Sequence, residues 1–187
     1  MLFRSLKTAD KEESYEICFV ADNDYRRFLK ERLPDLEERL SDGEIIFDGK
    51  VVGKHQGFPY YTIGQRSGIG AYGERVYVTE IDAETNTVTI GRNKDLLHTG
   101  LIAKDVNLIG VEVLDEGMKF LAQVRYKDTV SPATVYAEAD AHQTSGGQGR
   151  IRVAFDEPKR AITPGQSVVI YDREKLVGGG VIERIVQ

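Results

Sequence analysis

Hydrophobic positions along the chain change their period once. Tyr25, Phe28, Leu29 and Leu33 recur at helical spacing, Asp22 or Asn23 can cap the start of that run, and Pro34 stops it. This predicts one helix. From Gly43 onward short apolar runs alternate with turn residues. Glu44 to Phe47 and Lys50 to Val52 flank Asp48-Gly49, a dipeptide that accepts positive φ, which predicts a tight hairpin. Arg75 to Ile81 and Thr87 to Gly91 predict a second hairpin around Asp82 to Asn86. Further strands are expected at Lys119 to Tyr126, Thr134 to Ala139, Arg150 to Phe155, Ser167 to Tyr171 and Leu176 to Val186.

The fold class is therefore mostly β: a small central domain over residues 26–98 with one helix and hairpins, then an antiparallel β-barrel over residues 99–187. The boundary is placed near His98 to Gly100. Ala141 to Gly149 is rich in Gly, Ser and Gln and suits a surface connection between two strands. Met1 to Glu13 is polar and aperiodic and reads as a tail, which suggests that a longer protein precedes it.

The 187 residues suffice for one generous domain or two small ones. No run approaches the roughly 18 apolar residues of a membrane span, and no signal-peptide core is seen, so a cytoplasmic location is expected. One cysteine cannot close an internal disulfide, and three histidines offer no structural zinc spacing, so no metal is expected. A net charge of −5 argues against non-specific coating of nucleic acid. A shaped RNA site remains compatible with it, because Gly100 to Gln187 carries eleven basic and twelve acidic residues and the acidic excess lies mostly in the first half.

Two segments can carry chemistry. Cys18, within Ile17-Cys18-Phe19-Val20, is either a small buried core residue or a reactive thiol at a strand end before a helix. The stretch Gly53 to Gly70 interleaves five glycines with His55, Gln56, Tyr60, Tyr61, Gln65 and Arg66. Its backbone could approach a ligand closely while its side chains stack or hydrogen-bond, although the spacing fits neither a P-loop nor a dinucleotide fingerprint. His55, Gln65 and Arg66 are its candidate substrate contacts. A cysteine hydrolase built on Cys18 and His55 lacks an orienting third group.

Several motifs in order resemble the tRNA-specific 2-thiouridylases: Glu13 to Val20, Tyr61-Thr62-Ile63-Gly64-Gln65-Arg66, Arg125-Tyr126, Thr163-Pro164-Gly165-Gln166 and Gly178-Gly179-Gly180. The resemblance implies a three-part protein whose ATP-pyrophosphatase domain has no phosphate loop in this sequence. Residues 1–25 would be the C-terminal edge of that catalytic domain, and the barrel would be similar to barrels of translation factors. The implied reaction is ATP-dependent (with Mg) adenylation of the wobble uridine of tRNA, followed by replacement with sulfur. Cys18 is then the persulfide carrier, and a second cysteine on the absent domain completes the exchange and can form a disulfide with it. Arg125, Tyr126 and Gln166 match RNA-contacting positions. The implied partners are tRNA and an upstream sulfur donor such as a cysteine desulfurase or relay protein, with no membrane. A stand-alone, non-catalytic tRNA-binding barrel is the alternative, and by itself this chain is expected to bind rather than to catalyse.

Overall fold

The computed structural model describes residues 20, 22, 24–32, 35, 40–109, 117–126, 128–138 and 149–186. The predicted helix is α1, Tyr25–Arg32, and none of its residues is buried. Its cap is Asp24 rather than Asp22 or Asn23: Asp24 Oδ1 accepts the Arg27 N–H at 2.8 Å, the three-residue spacing of an N-cap bond. Asp22 instead receives the Arg27 guanidinium, with Nε 2.6 Å from Oδ2.

A four-stranded sheet follows, with strands β1 (Gly43–Phe47), β2 (Lys50–His55), β3 (Tyr77–Asp82) and β4 (Thr87–Gly91) in the order β2-β1-β4-β3. Asp48 and Gly49 both take positive φ, 48° and 73°, as a two-residue turn twisted to match its strands requires. The second predicted hairpin is β3–β4, in which Asp82 Oδ1 accepts the N–H groups of Glu84 and Thr85. The two hairpins join in parallel through β1 and β4, pairing Glu44 with Thr87 and Phe47 with Ile90. That pairing has no local signal in the sequence. The Gly-rich stretch folds over one face of the sheet, where Ile69 and Val76 are buried with Ile45, Val78, Val88 and Ile90, and Phe58, Tyr61 and Ile63 pack against them. These apolar and aromatic side chains anchor the loop to its own domain.

Strands β5 (Leu97–Leu108), β6 (Met118–Gln123), β7 (Ser131–Ala137), β8 (Gly149–Arg160), β9 (Ser167–Asp172) and β10 (Lys175–Val186) form a closed barrel in the order β10-β5-β8-β7-β6-β9, every pair antiparallel. Closure removes the exposed edges of an open sheet. The mostly β architecture, with one helix, hairpins and a C-terminal barrel, is thus as expected. Strand β5 was not expected. Asp105 takes φ 52°, and the register to β8 shifts between Ala103 and Val106, so the strand is bulged and its alternation broken.

In β10, Gly178-Gly179-Gly180 lies between two neighbouring backbones. A Cβ added at these positions would stand 2.3 Å from Asn107 O, 2.4 Å from Val168 O and 2.7 Å from Lys104 O, respectively. In β8, the pairing to β5 jumps from Lys159↔His98 to Ala154↔Gly100, which leaves residues 155–158 without a β5 partner. Pro158, which has no N–H to offer a ladder, sits in that gap.

Candidate nucleic-acid interface

The register Leu121↔Tyr171, Ala122↔Ile170, Gln123↔Val169 runs forward on β6 toward Arg125 and Tyr126 and backward on β9 toward Gln166. The turn after β6 and the turn before β9 therefore close the same end of the barrel. In the first, Asp128 N–H donates to Arg125 O at 3.0 Å, and both Arg125 and Tyr126 are exposed, Tyr126 to 79 %. In the second, Gln166 N–H donates to Thr163 O at 3.2 Å, with Pro164 at the second position and Gly165 at φ 86° at the third, the pattern of a type II turn. Gln166 O accepts the Ile182 N–H at 2.7 Å, so the backbone is tied to β10 while the residue stays exposed.

The 125–128 turn is held by two side chains, Gln123 and Lys159. Gln123 Nε2 donates to Tyr126 O at 3.0 Å and to Asp128 O at 2.7 Å. Lys159, 7 % exposed, directs its ammonium to Asp128 Oδ2 at 2.8 Å, Ser131 Oγ at 2.9 Å and Thr129 O at 2.5 Å. Neither Lys159 nor Asp128 is marked by any local sequence pattern. They meet because β8 pairs with β7, which sets the end of β8 beside the segment that follows the turn.

The Gly-rich loop reaches the same end. A Cβ added at Gly64 would lie 3.4 Å from Ala161 Cβ and 3.6 Å from an Arg160 guanidinium nitrogen. Arg160 Nε also donates to Asn93 Oδ1 at 2.9 Å, and its guanidinium lies 5.0 Å from the Tyr77 ring centroid. Within the loop, the candidate residues have separate fates. His55 is 3 % exposed; Nδ1 accepts the Gly57 N–H at 3.0 Å, which leaves Nε2 as the protonated nitrogen donating to Asn86 O at 3.2 Å. Burial holds its pKa below 6.5, and the ring bridges Gly57 and Asn86. Gln65 accepts the Thr62 N–H with Oε1 at 3.0 Å and donates from Nε2 to Ser67 O at 2.8 Å, so its amide is committed inside the loop. Arg66 is exposed. Cys18 and most of Ala141 to Gly149 lie outside the described residues.

The N–H groups of Thr62, Gly64 and Gln65 are bonded to Gln65 Oε1, Val78 O and Thr62 O, respectively. Among the described residues no group of three or more His, Cys, Asp or Glu could hold a metal ion, and no helix is long and apolar enough to cross a membrane.

Fold and surface together define a two-module β protein: a four-stranded sheet with a packed Gly-rich loop, then a closed barrel that presents Arg, Tyr and Gln on adjoining turns. Residues 26–92 match the family model described as tRNA methyl transferase PRC-barrel domain, and residues 98–182 match the aminomethyltransferase beta-barrel domain. The chain is 48 % identical over 179 residues to the tRNA-specific 2-thiouridylase MnmA of Salinibacter ruber, covering 95 % of this chain and 45 % of that protein. It is 47 % identical over 182 residues to the enzyme of the same name from Carboxydothermus hydrogenoformans, covering 96 % and 47 %, respectively. It is 45 % identical over 183 residues to MnmA 2 of Clostridium botulinum, covering 97 % and 49 %. The chain belongs to the tRNA-specific 2-thiouridylase family and spans about half the length of the curated relatives it matches.

Proposed function

We propose that this chain is the tRNA-gripping portion of an enzyme that makes 2-thiouridine at the wobble position of tRNA. The observation that carries this reading is that the Arg125-Tyr126 turn and the Thr163 to Gln166 turn close one end of the barrel. Arg125 is suited to a charge-assisted bond to phosphate, Tyr126 to stacking on an unpaired base, and Gln166 to a base edge or a 2′-hydroxyl. Arg66 is one more exposed cation, on the Gly-rich loop. His55 and Gln65 have no RNA contact in this reading, because their polar atoms already hold the loop together.

Cys18 is the sulfur carrier in this proposal. Its persulfide sulfur forms the new bond to C2 of an activated uridine as the C2–O bond breaks. A second thiolate, from the part of the enzyme this chain does not span, then attacks Cys18 Sγ, breaks the S–S bond, leaves sulfur on the base and joins Cys18 in a disulfide. ATP with magnesium supplies the activation of the C2 oxygen and is placed, in this proposal, on the part of the enzyme that this chain does not span. A thiol reductant must first break that disulfide and free the Cys18 thiolate, which an upstream persulfide donor then recharges by transfer of its outer sulfur.

The test has two arms. In this chain, the double change Arg125→Ala and Gln166→Ala is expected to weaken binding of an unmodified tRNA transcript at low salt by tenfold or more, about the worth of one charge-assisted bond. In a protein joining this chain to the ATP-binding portion of a relative, Cys18→Ser is expected to abolish thiolation without changing tRNA affinity. An unchanged gel-shift midpoint removes the RNA assignment, and persistent thiolation removes the Cys18 assignment.

A further inference from the structure

We propose that Lys159 and Gln123 are positioning residues for RNA contact, fixing the 125–128 turn from beneath without touching RNA themselves. The inference rests on the reading that Arg125 and Tyr126 meet RNA.

An ammonium in a barrel wall is unfavourable unless every N–H is matched, and apolar residues of similar size usually fill such a place at no loss of stability. Lys159 is nonetheless 7 % exposed, and its three N–H bonds have three acceptors, on Asp128, Thr129 and Ser131. The three acceptors run from the last residue of the turn, Asp128, to the first residue of β7, Ser131. Gln123 supplies the complementary hold on the other side: its amide nitrogen donates to the carbonyls of Tyr126 and Asp128. Asp128 Oδ2 also accepts the Val124 N–H at 3.4 Å.

The carbonyls of residues 126, 128 and 129 are therefore all held by Gln123 or Lys159, while Arg125 and Tyr126 are exposed. A two-residue reader on a free turn would lose conformational entropy on every binding event. A turn pinned by two side chains, one of them buried, has lost it already during folding. Lys159 lies next to Arg160 and Ala161, which lead directly into the Thr163 to Gln166 turn. The same segment of β8 thus supports the first turn and delivers the chain to the second.

The experiment measures affinity of this chain for an unmodified tRNA transcript over a salt series, together with thermal unfolding. Two variants remove the support without leaving a buried charge unpaired: Gln123→Met, and Lys159→Met combined with Asp128→Leu. Both are expected to remain folded, to bind about tenfold more weakly at low salt, and to lose about one unit of the slope of log affinity against log salt, the signature of a single phosphate contact. Adding Arg125→Ala to either is expected to cause no further loss, because both routes remove one contact. Folded variants with wild-type affinity and slope, or losses that multiply with Arg125→Ala, overturn the proposal. So does failure of both variants to fold, which assigns the two residues to barrel stability alone. If Arg125→Ala by itself binds normally, the underlying RNA reading falls and this inference with it. A weakened Arg125→Ala beside unaffected support variants removes only the inference.

Discussion

Arg160 joins the barrel to the four-stranded sheet by placing its guanidinium 5.0 Å from the ring centroid of Tyr77. The same side chain donates to Asn93 Oδ1 at 2.9 Å, and the next residue, Ala161, donates its N–H to Leu96 O at 2.8 Å. The contact is partly exposed, so its worth is modest, but it lies where the chain passes from one module to the other.

Replacing Arg160 with Ala removes the ring contact and the hydrogen bond, at an expected cost of about 1 kcal/mol. Scanning calorimetry should show the single unfolding transition separating into two, as sheet and barrel lose part of their coupling. Arg160→Lys should recover little, since an ammonium cannot reproduce the planar fork. One unbroken transition at the wild-type temperature would refute the coupling.

Burial lowers the pKa of His55 below 6.5, and His98 moves in the same direction for the same cause. The unfolded chain then takes up protons before the folded one as pH falls. The contribution to stability is complete above 6.5 and is lost as pH drops from there through the folded pKa. The melting temperature is expected to fall between pH 7 and pH 5, and to fall less in His55→Gln. The lowered carboxyls of Asp48 and Asp82 act in a separate window, below 3.8. A flat profile from pH 7 to 5 would contradict the neutral, buried ring.

Gly179→Ala sets a methyl group 2.4 Å from Val168 O, a backbone atom that cannot move without disturbing β9. The expected loss is about 1–3 kcal/mol or more, by overpacking. Urea unfolding should show a lower midpoint with an unchanged slope.

Gln65→Leu breaks the two bonds that hold the 62–67 segment and should cost about 1–2 kcal/mol of stability. Because it removes no charge, it should leave the salt dependence of tRNA binding alone. Arg66→Ala should do the reverse, lowering the salt slope by about one with little change in stability. A salt slope that responds to Gln65 instead would return that residue to the RNA surface.

Features that depend on neighbouring residues were legible in the sequence. The Asp48-Gly49 hairpin, the β3–β4 hairpin and most barrel strands are local patterns of alternation and turn chemistry. The Thr163 to Gln166 turn could be read from Pro164 and Gly165 alone. Features that depend on the assembled fold were not. Strand β5 hid behind its bulge at Asp105, and the parallel β1–β4 pairing joins segments some forty residues apart. The aromatic residues of the Gly-rich loop looked suited to a ligand, yet Phe58 and Tyr61 pack on the sheet core. Lys159 looked like any surface lysine, because nothing beside it announces that Asp128, Thr129 and Ser131 will surround its ammonium.

The glycine-bearing strand β10 pairs on one side with β5 and on the other with β9. Its partners thus begin at residue 97 and end at residue 172, and neither side of the gap can close without it. During synthesis the four-stranded sheet is complete in sequence once residue 91 has been made, whereas the barrel has no closed form until residue 186 is available. Pairings of such long sequence separation form slowly. The nascent barrel passes through an interval with two unpaired edges, the period in which this chain is most exposed to misassembly and to chaperones.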